Sequence, residues 1–101
     1  MSEWGYQTPT ASIGTVTEAS STIVAANANR KYLYVGNTGG TPGYLGFGAA
    51  AVINQGVRIE RAGSAGCFYE MAREMGNINN GSVTAILTAT GTAQFCILKG
   101  T

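Results

Sequence analysis

The sequence predicts an all-β fold: a single small antiparallel β-sandwich or barrel, jelly-roll-like packing being one option, with an extended N-terminal arm. Three observations carry this. Apolar residues alternate with polar ones in short runs rather than recurring at helical spacing. Gly, Asn and Ser clusters punctuate those runs at regular intervals. Gly reaches 15 of 101 residues and charge only 11%, a mix that favours strands and turns over helices. A chain of this length holds one core.

Residues 1–12 carry Trp4, Tyr6 and Pro9 with no alternation, and so form the expected arm, leaving 13–101 as the sandwich domain. Aromatic side chains on a terminal segment need something to tie them down, either the parent domain or a pocket on a neighbouring subunit. Ile13–Glu18 is a weak alternating strand, followed by a small turn at Ala19–Ser21 and a strand over Thr22–Ala26. Asn27-Ala28-Asn29 breaks the pattern. Asn tolerates left-handed backbone and bonds its own main chain, so the expectation is a hairpin in which Thr22–Ala26 pairs with the strand from Arg30 to Gly36. In that second strand Leu33 and Val35 share one face, and Tyr32 and Tyr34 the other.

Asn37–Gly43 is the strongest loop signal, and Tyr44–Gly48 resumes an extended run with Leu45 and Phe47 opposite Tyr44, Gly46 and Gly48. Glycines on one strand face invite close approach of another backbone or ring. Ala49–Ile53 is too short for periodicity to decide between strand and helical turn. Val57–Arg61 alternates with Val57 and Ile59 inward. Cys67–Met71 is read as a strand, in preference to a helix over Tyr69–Met75, because one uncapped turn and a half is marginal. Ser82–Thr88 and Ala93–Lys99 close the domain. Both faces of the last strand are apolar, Phe95 and Ile97 against Cys96 and Leu98, so it is expected between layers or under a neighbouring subunit.

Composition excludes several function classes. A formal charge of +1 leaves no basic footprint for nucleic acid or an anionic membrane surface. No run approaches a membrane-spanning helix and no leader pattern opens the chain, so the expectation is a soluble protein made in the cytoplasm. Without His or a Cys-x-x-Cys pair no zinc site is expected, and Ser-His or Cys-His nucleophiles are impossible. Cys67 and Cys96 permit one disulfide, but free thiols packed as small apolar groups are the expectation. Glu60, Glu70 and Glu74 have neighbouring Arg58, Arg61 and Arg73, which makes ion pairing the default over acid–base chemistry. Gly46-Phe47-Gly48 lacks the helix and distant acid of a dinucleotide loop. The sequence thus predicts no enzyme, no cofactor and no metal. A charge-poor surface instead suits a component of an assembly.

Ile23-Val24-Ala25-Ala26-Asn27-Ala28-Asn29-Arg30-Lys31-Tyr32-Leu33-Tyr34-Val35-Gly36-Asn37 resembles the "ivaaN-x-nRk-x-l-x-i-x-N" opening of small β-structured virion proteins of tailed bacteriophages. Further elements of that pattern follow in order: Tyr44–Gly48 with Ala49–Ala51, the Gly56-Val57-Arg58-Ile59 strand, the Gly63 turn with Phe68 or Tyr69, and Gly81–Ile86. The likeness runs from about Thr15 to Lys99, while the glycine-rich loop Gly39–Gly43 departs from the pattern. It implies a capsid decoration or cement protein on the virion surface, binding the major capsid protein, with a homotrimer favoured. Alternatives within the resemblance are a head-fibre, tail-fibre or spike module that binds a receptor or glycan. The residues expected at a partner interface are Trp4, Tyr6, Arg30, Tyr32, Tyr34 and Tyr44.

Overall fold

A computed structural model describes residues 10–72, 76 and 78–100. Eight strands account for the regular structure: β1 (Thr10–Thr17), β2 (Ser21–Val24), β3 (Tyr32–Asn37), β4 (Gly43–Phe47), β5 (Val57–Ile59), β6 (Phe68–Ala72), β7 (Val83–Leu87) and β8 (Thr92–Gly100). They form two four-stranded sheets, ordered β1-β8-β3-β6 and β2-β7-β4-β5. Every pairing is antiparallel, with β1 on β8, β2 on β7, β3 on β6 and β4 on β5. The chain is thus one long ladder folded at β4–β5 and rolled until β3 meets β8 and β4 meets β7. That is the jelly-roll arrangement among the options the sequence left open.

The core lies between the sheets. Leu33 and Val35 from β3, Leu45 from β4, Ile59 from β5 and Phe95 from β8 are all at or near zero exposure, as the alternation requires. Val83, Ala85 and Leu87 point inward from β7. Gly14 serves this packing: a Cβ there would sit 2.8 Å from the Ile23 side chain, so the bare backbone lets β2 close against the edge strand β1.

Three expectations are corrected. The Thr22–Asn37 stretch is not a hairpin, because β2 and β3 belong to different sheets and Asn27–Asn29 is an arch between layers. The residue chemistry of a turn is the same in both cases, and only the partners of the flanking strands differ. The arm is shorter than 1–12, since Thr10, Ala11 and Ser12 pair in β1 with Lys99, Leu98 and Ile97. Trp4 and Tyr6 lie outside the described residues, as do Arg73 and Glu74. Ala49–Ile53 is neither strand nor helix but part of a loop that folds back over β4, where a Cβ on Gly46 would meet the Ala51 backbone at 3.0 Å. The close approach expected at the β4 glycines is therefore made by the chain's own loop.

Candidate protein-binding face

The two outer faces of the sandwich are treated differently by the chain. Over the β2-β7-β4-β5 sheet, the segment 48–56 is tied down by its own hydrogen bonds. Gly48 N–H donates to Ser82 O, Ala51 N–H to Ser20 Oγ, and the Thr84 hydroxyl to Ala49 O at 2.7 Å. Gly56 makes this path possible. It takes φ +83°, and a Cβ there would lie 2.1 Å from Leu45 O.

The β1-β8-β3-β6 sheet has no such cover among the described residues. Strand pairing places Ala11 and Ile13 of β1 beside Leu98 and Cys96 of β8, with Tyr34 and Gly36 of β3 and then Glu70 and Phe68 of β6 continuing the same face. Ile13 is 66% exposed and Phe68 49%. Between β1 and β3 this face dips into an open groove of about 620 Å³ with an almost wholly apolar lining that includes Ala11, Ile13, Tyr34, Cys96 and Leu98. Gly36 makes room for two of the lining side chains: a Cβ there would meet the Cys96 sulfur at 2.9 Å and the Tyr34 ring at 3.0 Å. Tyr34 stacks on Phe68, with centroids 5.4 Å apart and planes 18° from parallel.

Burial pushes the Tyr34 hydroxyl pKa up, and negative charge on Cys96, Cys67 or Glu70 adds to that shift. Both cysteines are free thiols and half-buried rather than fully buried. Cys96 is therefore part of the surface, which the sequence alone left among core thiols.

The other expected interface residues scatter. Tyr32 is buried, and its hydroxyl donates to Glu70 on the neighbouring strand. Tyr44 lies on the opposite sheet, buried beneath the loop, where its hydroxyl donates to Asn54 and accepts from Arg58. The Arg58 guanidinium also stands 5.5 Å over the Tyr44 ring and pairs with Glu60 at 2.6 Å, which holds its pKa above the usual arginine value. The three tyrosines thus form no single platform. Among the described sequence-selected residues only Tyr34 lines the groove, joined there by Ile13, Cys96 and Leu98 and, beside it, Phe68. The apolar outer face of the last strand was the signal that pointed to them.

Arg30 is 3% exposed and works inside its own chain. Its guanidinium donates to Ala25 O at 2.6 Å, Asn79 O at 2.6 Å and Gly81 O at 3.0 Å, which ties the β2–β3 arch to the β6–β7 loop. Burial lowers its pKa from the usual value, and three carbonyl dipoles stabilise the charge that remains. Asn80 completes the clamp by donating its side-chain amide to Asn27 O and Arg30 O. Asn27 in turn accepts from Asn29 N–H, the local bond expected of a turn asparagine. Arg30 is thus a structural clamp within its own chain.

Among the described residues the carboxylates form no acid–base pair. Glu60 is engaged by Arg58 and Glu70 by Tyr32, and they lie on different sheets. Among the described residues no cluster of potential metal ligands occurs.

No protein-family model matches the chain. No curated protein matches it either. Among solved structures, the chain is similar to one from work described as "Bacillus endospore appendages form a novel family of disulfide-linked pili". The identity is 20%, the TM-score 0.50, and the match covers 93% of this chain and 85% of that one. This likeness bears on the fold alone, an all-β sandwich.

Proposed function

We propose that this chain is a structural subunit of a tailed-phage virion, a capsid decoration protein that works as a homo-oligomer, trimer favoured, and binds the major capsid protein. The single observation that carries a structural role is the apolar face of the β1-β8-β3-β6 sheet, uncovered among the described residues, where the opposite sheet has a loop of its own chain laid over it. A contiguous apolar surface of this kind marks a protein contact. The choice of a phage capsid rests on the resemblance of the Ile23–Asn37 motif. The direct test adds purified protein to capsids of the encoding phage prepared without it. Saturable co-sedimentation at a fixed ratio per capsid subunit is expected, and its absence overturns the decoration role.

A second reading is favoured by one observation: the structural neighbour belongs to disulfide-linked pili, and here Cys96 lies in the exposed groove. On that reading the chain polymerises with itself, Cys96 of one copy bonding Cys67 of the next, and adding a disulfide oxidant such as oxidised glutathione, which takes up the two electrons per bond, makes the polymer resistant to denaturant until reductant is added. A glycan-binding module finds less support, because Tyr44 is on the opposite sheet from Tyr32 and Tyr34.

A further inference from the structure

We propose that the groove on the β1-β8-β3 face receives the aromatic side chains of Trp4 and Tyr6 from the N-terminal segment of a second copy of this chain. The inference rests on the reading of the protein as a self-assembling structural subunit, and names what covers its open face.

The geometry supplies the socket. Ala11, Ile13, Tyr34, Cys96 and Leu98 line a groove of about 620 Å³, within the size range of pockets that engulf aromatic groups. Its lining carries no charged residue. The chain supplies the occupant. Strand β1 forms one wall of the groove and begins at Thr10, so residues 1–9 leave the domain from the groove's own edge. Nine residues in extended form reach about 30 Å, enough to cross to an adjacent copy. Pro9 biases Thr8 toward extended backbone, which favours a path onward in the direction of β1. A return into the same copy's groove needs an abrupt reversal at that point. In an extended segment Trp4 and Tyr6 are two residues apart and share one face, so both rings point at the same surface. The Tyr34–Phe68 stack borders the groove as a ready aromatic neighbour.

An arm-in-groove contact is head-to-tail. Each copy gives one arm and accepts one, so the contact closes into a ring or runs on as a filament, according to the rotation between neighbours. A trimer is one closed form.

Trp4 is the only tryptophan in the chain, so its fluorescence reports this contact alone. Sedimentation velocity and tryptophan emission are measured across protein concentration, with the intact chain and with Trp4→Ala, Leu98→Lys and Ile13→Lys. The last variant alters a 66%-exposed side chain and guards against misfolding of the second. Association and a blue shift of emission are expected to appear together as concentration rises. Each substitution should weaken association by about thirty-fold or more, as loss of a central aromatic anchor or its pocket does. A mixture of Trp4→Ala, which keeps the groove, with Leu98→Lys, which keeps the arm, should form a one-to-one complex that neither forms alone. The inference is overturned if Trp4→Ala associates as tightly as the intact chain, if emission is blue-shifted in a monomer at the lowest concentration, or if the mixture stays monomeric. Capsid co-sedimentation of the same proteins reads the two proposals apart: normal self-association without capsid binding sinks the decoration role and leaves the arm contact standing.

Discussion

Arg30 shows how one residue can look functional in sequence and be architectural in space. Its position in the Asn-x-Asn-Arg run is what makes the motif distinctive, yet the three partners described for its guanidinium are main-chain carbonyls of its own fold. Truncation removes the one group that joins those three part-buried carbonyls across the arch and the loop. Arg30→Ala is therefore expected to destabilise the domain by about 3 kcal/mol or more in urea unfolding, and Arg30→Lys to recover less than half, because an ammonium cannot span the same fork. A loss below about 0.5 kcal/mol would contradict the clamp. Tyr34 offers a second check. Its pKa is raised from 10.0 in the fold, so the unfolded chain ionises first. The contribution to stability is intact below about pH 10 and drains away as pH rises through the folded-state value. Urea midpoints of the native chain and Tyr34→Phe should run parallel up to about pH 10 and diverge above it, with the native chain losing more. Parallel curves through pH 11 would remove Tyr34 from its half-buried, negatively flanked setting.

At the scale of elements, eight of the expected strands are present close to their expected bounds, because alternation between a core and an outer face is a local property that sequence displays directly. The inward sets Leu33 and Val35, Val57 and Ile59, and Val83 with Ala85 and Leu87 were all legible for that reason. Pairing was not. Asn27–Asn29 carries the chemistry of reversal, but whether a reversal stays in one sheet or arches to the other is decided by partners such as Asn80, some fifty residues away. Nor did periodicity show that residues 48–56 would seal one face, since that loop is held by single polar contacts with Ser20, Ser82 and Thr84. Gly56 is the hinge of this cover. Gly56→Ala places a Cβ on Leu45 O in a left-handed backbone conformation, and should cost about 1–3 kcal/mol by thermal unfolding while exposing Tyr44. Tyr44 ring accessibility, read by oxidative footprinting, should rise in that variant. An unchanged melting temperature would show that the loop is not seated as described.

For the whole molecule the decisive property is asymmetry. A small sandwich has two outer faces, and an isolated protein gains by blunting both with polar side chains or cover. Here one is covered by its own loop, which exposes Val52 and Ile53 at its tip, while the other presents Ile13, Cys96, Leu98 and the Tyr34–Phe68 stack with no loop over them among the described residues. On the proposed reading the sheet without a covering loop is the side through which the molecule associates. Cys96 reports the difference without any substitution, because it is half-buried and lines the groove in the free chain. Alkylation of Cys96, followed by peptide mass spectrometry, should slow on assembly in step with the free fraction, about tenfold when nine-tenths of the protein is assembled. Tyr44 beneath the opposite loop should keep its low reactivity unchanged in both states. Equal alkylation of Cys96 in free and assembled protein would place the contact elsewhere, whereas selective protection identifies this sheet as the side through which the molecule builds.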